Sequence, residues 1–316
     1  MYHNIMKTKC KIGVIFGKFY PLHCGHIYLI EKAITQVEVL HVFLGCEQLR
    51  DLKLFEASHM PRQPQVSDRF YWLKRTFQNH QNIYIHVLNE EGIAYYPNGW
   101  RDWSDRVKAI LAKHQVKPTV IFTSEQQDVV EYERFFHCTV KLIDVNRDFI
   151  NISATQIRDN PYKNWQYLAK AARPFFVTKI ALVSKQNQFD EIAQQLANIF
   201  NTVYVNNGYS NYFHYDHYGK IPISVTADDY IRIAKLQAQR IDEAALNANR
   251  VLFTALDFVT LQQSFQNMFH KEDQTLNELI NKYPFDLVIN YHDFNSKHSQ
   301  LSIFEAVLEQ VRNQLS

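Results

Sequence analysis

Several things are missing from this chain, and each absence closes off a class of protein. Charge excess is missing: 34 Lys and Arg face 32 Asp and Glu, so neither a nucleic-acid arm nor a strongly acidic partner is indicated. No helix-turn-helix region precedes Lys11 and no basic stripe follows it, which argues against DNA binding. Long apolar runs are missing as well. None approaches the roughly 18 residues that span a bilayer, and the opening Met1-Tyr2-His3-Asn4-Ile5-Met6-Lys7 lacks a signal-peptide core, so a cytoplasmic chain with no membrane partner is expected. Cysteine is sparse: Cys10, Cys24, Cys46 and Cys138 show no CxxC spacing, which excludes a zinc framework and predicts reduced thiols. Glycine is unevenly placed, and of eight only Gly208 and Gly219 fall after residue 177.

What is present is enough apolar material for two cores: 46% of 316 residues are hydrophobic. Short β-branched runs alternate with helical periodicity, the pattern of parallel sheets wrapped by helices. The first block, residues 1–177, reads as a Rossmann-like α/β domain with strands at Lys11 to Phe16, Val37 to Leu44, Ile83 to Leu88, Thr119 to Thr123 and Thr139 to Val145. Helical stripes fall at Ile27, Ile30 and Ile34, at Phe70, Leu73 and Phe77, and at Trp103, Val107, Ile110 and Leu111, with Ser67 and Ser153 at expected N-caps. The second block, residues 178–316, is also α/β. Its strands are expected near Val177 to Val183, Val251 to Ala255 and Asp286 to Asn290, and no low-complexity linker separates it from the first.

One segment carries chemistry. The strand ending at Phe16 passes through Gly17-Lys18-Phe19-Tyr20-Pro21-Leu22 into His23-Cys24-Gly25-His26, which opens a helix. Such a turn aims free backbone N–H groups and the positive end of the helix dipole at one spot, a ready anion site. His23 and His26 can donate to phosphate oxygens, Lys18 adds a point charge, and Gly25 lets a polyphosphate approach the backbone. A second segment, Ile152-Ser153-Ala154-Thr155-Gln156-Ile157-Arg158, starts another short helix. Ser153, Thr155 and Arg158 are placed to face the same polyphosphate.

GKFYPLHCGH at Gly17 to His26, RDLKLF at Arg50 to Phe55, YPNGW at Tyr96 to Trp100 and ISATQIR at Ile152 to Arg158 together resemble the HxGH nucleotidyltransferases. Within them the match is to the NadR-type nicotinamide mononucleotide adenylyltransferases. The resemblance implies that His23 and His26 contact ATP phosphates, that Lys18 and Arg158 stabilise the transferring group, and that Arg50 meets substrate phosphate. It also implies phosphate contacts around Gly17, Phe19, Gly25, Ser153 and Thr155, an adenine-side loop at Ser124 and Glu125, and a nicotinamide site at Trp100 with Tyr96 and Asn98. An indole face suits a pyridinium ring. Trp103 lies in the apolar stripe of its helix and is expected in the core, leaving Trp100 as the stacking residue. The implied reaction is ATP plus nicotinamide mononucleotide to NAD and pyrophosphate, with Mg2+ carried in on ATP, because no carboxylate cluster in the sequence looks like a metal cage. Nicotinic acid mononucleotide is the alternative acceptor, and the family's habit of assembling implies a homo-oligomer.

The resemblance continues into the second block through Arg173 to Phe176, Leu196 to Thr202, Leu256 to Thr260 and Pro284 to Leu287. There the family carries a P-loop riboside kinase. The expected GxxxxGK[ST] is replaced by Ser184-Lys185-Gln186-Asn187-Gln188-Phe189-Asp190-Glu191, which has no glycine to wrap a phosphate and two acids where the phosphate would sit. Gly219-Lys220 is no substitute, because His214 and Ile221 occupy the positions of the first glycine and the hydroxyl. Ala255 stands where the metal-holding segment begins, although Asp257 remains, and the chain looks shortened past Tyr291. These losses predict a folded, catalytically dead P-loop-kinase-like domain lacking the P-loop. Retained for sensing rather than chemistry, it would make the chain a nucleotide-binding regulatory protein.

Overall fold

The computed structural model describes residues 11–184, 188–208, 212, 225–294 and 300–315. The chain divides into two compact units, the first ending at Ala172 and the second starting at Arg173. The P-loop comparison rests partly on residues 185–187 and on His214, Gly219, Lys220 and Ile221, which lie outside the described residues. No helix among the described residues is long and apolar enough to cross a membrane.

The first unit is a five-stranded parallel sheet. Its strands are β1 (Ile12–Gly17), β2 (Val39–Cys46), β3 (Ile83–Asn89), β4 (Val120–Thr123) and β5 (Thr139–Leu142), in the order β3-β2-β1-β4-β5. The helices are α1 (Cys24–Ile34), α2 (Gln48–Glu56), α3 (Val66–Thr76), α4 (Trp100–Lys113), α5 (Val129–Phe136) and α6 (Ala154–Asp159). The sheet is central and covered on both faces, so β1 and β2 read as nearly continuous apolar runs; Val14, Ile15, Leu40, Val42, Phe43 and Leu44 are all fully buried. The chain reverses direction across the sheet between β1 and β4, and in such sheets ligands bind outside the carboxyl ends of the strands at that point. Phe16 and Gly17 on β1 and Thr123 on β4 stand there.

Helix ends differ in places from the sequence reading. Ser153 caps α6 as expected, in a reciprocal capping box with Gln156. Ser67 does not cap α3: the cap lies two residues earlier, at Gln65, which forms the capping box with Asp68. Strand β5 stops at Leu142 rather than Val145, because Asp144 turns the chain with a left-handed backbone and its carboxylate accepts from the Phe149 and Ile150 amides.

The second unit is a four-stranded parallel sheet of β6 (Thr178–Val183), β7 (Val203–Val205), β8 (Val251–Thr254) and β9 (Leu287–Asn290), ordered β7-β8-β6-β9. Around it lie α7 (Arg173–Phe176), α8 (Asp190–Ile199), α9 (Ala227–Ala245), α10 (Phe258–Phe269), α11 (Gln274–Lys282) and α12 (Gln300–Leu315). One face of its core joins Ile180, Leu182 and Phe253 to Phe189, Ile192 and Leu196 of the α8 region and to Ile303, Val307 and Val311 of α12. Asp257 is buried and caps α10, its Oδ1 accepting from the Val259 and Thr260 amides.

Candidate active site

Two cavities open at the carboxyl ends of β1 and β4, and Glu125 borders both. The smaller, about 260 Å³, is lined by His23, Gly25, His26, Tyr28, Ser124, Arg147, Ser153 and Thr155 among others. The larger, about 400 Å³, has walls of Phe16, Phe43, Trp100, Trp103 and Tyr132, with Gly17, Lys18, Arg50, Glu90 and Tyr96 also on its surface.

In the smaller cavity His23 is the N-cap of α1. Its Nδ1 accepts from the Gly25 amide at 3.1 Å, which puts the proton of the neutral ring on Nε2. Gly25 is therefore required for a reason other than ligand approach: a Cβ there would stand 2.9 Å from Cε1 of His23 and block the cap. His26 lies one turn on, its ring 3.8 Å from that of His23 and edge-on to Phe19 at 5.0 Å. Burial pushes the His23 imidazole down to about 3, helped by the charges of Arg147 and Arg158. The His26 imidazole is held well below the usual range by burial, then by His23, Arg147 and Arg158. Both rings are neutral near pH 7, and Nδ1 of His26 is buried without a hydrogen-bond partner among the described residues. No acid lies in the first turn of α1. A positive helix end lined by neutral imidazole groups and the Arg147 guanidinium suits a polyphosphate.

In the larger cavity Lys18 lies 3.1 Å from Asp51 and 3.6 Å from Glu90. Asp51 in turn pairs with Arg69, which is fully buried and donates to the carbonyls of Lys18 and Gly45. This fixes the β1 loop to the end of β2. Arg50 sits 3.7 Å from Glu90 and 3.5 Å from Glu47, with its guanidinium over the Tyr95 ring. Trp100 and Trp103 meet edge to face at 5.5 Å. Trp103 was expected in the core, yet it is only partly buried: it packs on Phe16, donates Nε1–H to Glu90 at 3.0 Å and lines the cavity alongside Trp100.

Three expected site residues line neither cavity. Phe19 is buried, with its ring where a Cβ on Gly17 would be, so its side chain shapes the loop. The Arg158 guanidinium is held by the Tyr20 carbonyl at 2.8 Å and by Thr155 Oγ1 at 2.9 Å, close enough for its charge to depress both histidines. Asn98 lies in the loop before α4, its amide bonded to the Tyr95 carbonyl. The sequence reading missed Glu90, Asp128, Tyr132, Arg147 and the Asp51–Arg69 pair. Apart from Asp51, which follows Arg50 in the RDLKLF segment, they lie outside the quoted motifs, and the pairings that join them run between elements.

A doubly wound parallel sheet with an anion cradle and an aromatic cavity side by side at its crevice defines a nucleotide-handling α/β protein. No family model matches the chain. Among curated proteins, the trifunctional NAD biosynthesis/regulator protein NadR of Salmonella typhimurium is 43% identical over 279 residues, covering 88% of this chain and 68% of the relative. NadR of Escherichia coli is 42% identical over 284 residues, covering 90% and 69%. The chain belongs to the NadR family of NAD-biosynthesis proteins. A crystal structure of a NadR protein in complex with NR shares the fold, with a TM-score of 0.70 over 96% of this chain and 88% of that one at 20% identity. A NadR protein in complex with NAD and AMP-PNP gives 0.68 over the same shares at 19% identity. A probable nicotinate-nucleotide adenylyltransferase of Pseudothermotoga lettingae is 33% identical over 96 residues, 28% of this chain and 43% of its own length.

Proposed function

We propose that the chain transfers the adenylyl group of ATP to nicotinamide mononucleotide, forming NAD and pyrophosphate, and that its second unit does not phosphorylate a riboside. The observation that carries this reading is the shared edge of the two cavities at Glu125. A triphosphate at the His23–His26 cradle and a mononucleotide against Trp100 then meet end to end, as dinucleotide formation requires. An oxygen of the mononucleotide phosphate attacks the α-phosphorus, the new P–O bond forms, and the bond to the bridging oxygen breaks in line to release pyrophosphate. That oxygen is already ionised at neutral pH, so no general base is needed.

The protein's contribution is positioning and charge stabilisation. His23 offers Nε2–H, Lys18 is pointed by Asp51 and Glu90, and Arg158 anchors the Tyr20 carbonyl and Thr155. Removing one donor to the developing charge should cost roughly 2.7–4 kcal/mol of transition-state stabilisation. Magnesium enters as part of the substrate, MgATP.

For the second unit, the support is the entry to α8. Phe189 is fully buried there, Asp190 and Glu191 occupy the first turn, and Asp257 is engaged as a helix cap. Incubating the protein with ATP, Mg2+ and nicotinamide mononucleotide should yield NAD, and with the riboside should yield no mononucleotide. Absence of NAD across pH and metal conditions refutes the first half, and riboside phosphorylation refutes the second.

A further inference from the structure

Three carboxylates border the aromatic cavity, and they are not equivalent. Glu90 is neutralised, since it accepts from Trp103 and lies near both Lys18 and Arg50. Glu125 stands exposed on the rim, with Gln127 donating to it and Arg147 3.9 Å away. Asp128 differs from both. It lines the cavity one turn ahead of Tyr132, is only partly exposed, and among the described residues its carboxylate makes no hydrogen bond or ion pair. It occupies the N-cap position of α5, where Asp is a favoured cap, yet its side chain accepts no amide hydrogen.

The cavity is thus polarised. Lys18 and Arg50 both lie within 4 Å of Glu90, whereas Asp128, which lines the same cavity as Trp100 and Tyr132, has no counter-charge against it among the described residues. Burial and the neighbouring Glu125 raise the carboxyl of Asp128 above the usual carboxylate range, the response of an anion that lacks a partner. The partner that fits between indole, phenol and carboxylate is a flat organic cation.

We infer that Asp128 is a specificity-determining residue of this cavity, selecting a base with a positively charged ring and an uncharged substituent and rejecting a base whose substituent is a carboxylate. The inference rests on reading the cavity as the mononucleotide subsite. Nicotinamide mononucleotide has the charge Asp128 favours. Nicotinic acid mononucleotide keeps the ring but brings a carboxylate towards Asp128, and reduced nicotinamide mononucleotide keeps the substituent but loses the ring charge.

Isothermal titration of the full chain with these three ligands, without ATP, tests the assignment. The wild-type protein should bind nicotinamide mononucleotide about tenfold or more tightly than either of the others, a single uncompensated charge contact being enough for that ratio. In Asp128→Asn both ratios should fall to within about threefold, with the melting temperature unchanged or raised, because an unpaired carboxylate has been removed. Unchanged ratios, or a lowered melting temperature that reveals a structural cap, overturn the inference. Turnover separates it from the adenylyltransferase reading: NAD formed with ratios indifferent to Asp128→Asn sinks only the inference, and charge-selective binding without NAD sinks only the reading.

Discussion

Replacing His23 with Asn separates the cost of burying an imidazole from the value of the cap that it forms. In the folded chain the ring is held near 3, against 6.5 unfolded, chiefly by burial. A depressed histidine contributes stability that is fully present above its unfolded pKa and is lost as pH falls from there towards the folded value. At about pH 5 the unfolded ring is almost fully protonated and the folded ring is not, so His23 alone should destabilise the protein by ~2 kcal/mol relative to about pH 7.5. Asn keeps a side-chain oxygen that accepts from the Gly25 amide and does not titrate. All four tryptophans, Trp72, Trp100, Trp103 and Trp165, belong to the first unit, so their fluorescence follows its unfolding alone. His26, His41 and His86 are depressed in the same sense and remain in both proteins. The wild-type urea midpoint should therefore fall further than that of His23→Asn between the two pH values, by about 1 M for a slope near 2 kcal/mol per M. Equal pH dependence in the two proteins refutes the claim that a neutral, buried His23 closes the helix end.

Two further changes probe the loops that hold the site. Arg69→Met leaves the buried Asp51 with Lys18 as its remaining counter-charge and should destabilise the first unit by ~3 kcal/mol, the low end for a broken buried pair, whereas Arg69→Met with Asp51→Leu should recover most of that loss; paired unfolding curves check it. Gly99→Ala puts a Cβ 2.2 Å from the Ala94 carbonyl oxygen and 2.6 Å from Ile93, so the start of α4 must shift. A stability loss of ~1–3 kcal/mol should accompany a raised KM for the mononucleotide, with KM for ATP little altered.

Much of the fold was legible in the sequence because buried parallel strands and amphipathic helices leave long, regular signals. The five strands of the first unit and three of the four in the second overlap the expected runs, with ends shifted by one to three residues. Strand β7 did not show, since three residues after a three-residue loop carry no periodicity. Ser67 misled because a hydroxyl near a helix start resembles a cap, whereas the helix is already closed two residues earlier by the Gln65–Asp68 box. In the site, local motifs yielded the residues that one loop and one helix start supply. What they left out is set by pairing across elements: Glu90 from the end of β3, Asp128 from the start of α5 and Arg147 from a loop meet those motifs only in three dimensions. Gly25 was legible as a requirement but for a different cause, since spacing reveals a glycine and not the imidazole folded over it.

The two units also place the same device, a strand leading into a helix start, in opposite electrostatic settings. At α1 the entry residue is a neutral histidine, the first turn holds no acid, and the nearest guanidinium groups depress the imidazoles beside it. The half-charge at that helix end is left for an incoming anion. At α8 the entry residue is Phe189, packed against Tyr291 and Phe294, and Asp190 and Glu191 satisfy the same dipole from within the chain. Asp190 is further held by the Tyr204 hydroxyl at 2.7 Å. A phosphate brought to α8 would have to displace carboxylates that already stabilise the helix, whereas one brought to α1 meets a first turn without acids, the His23 Nε2–H and the Arg147 guanidinium. That difference in local charge supports assigning ATP chemistry to the His23–His26 end of the chain.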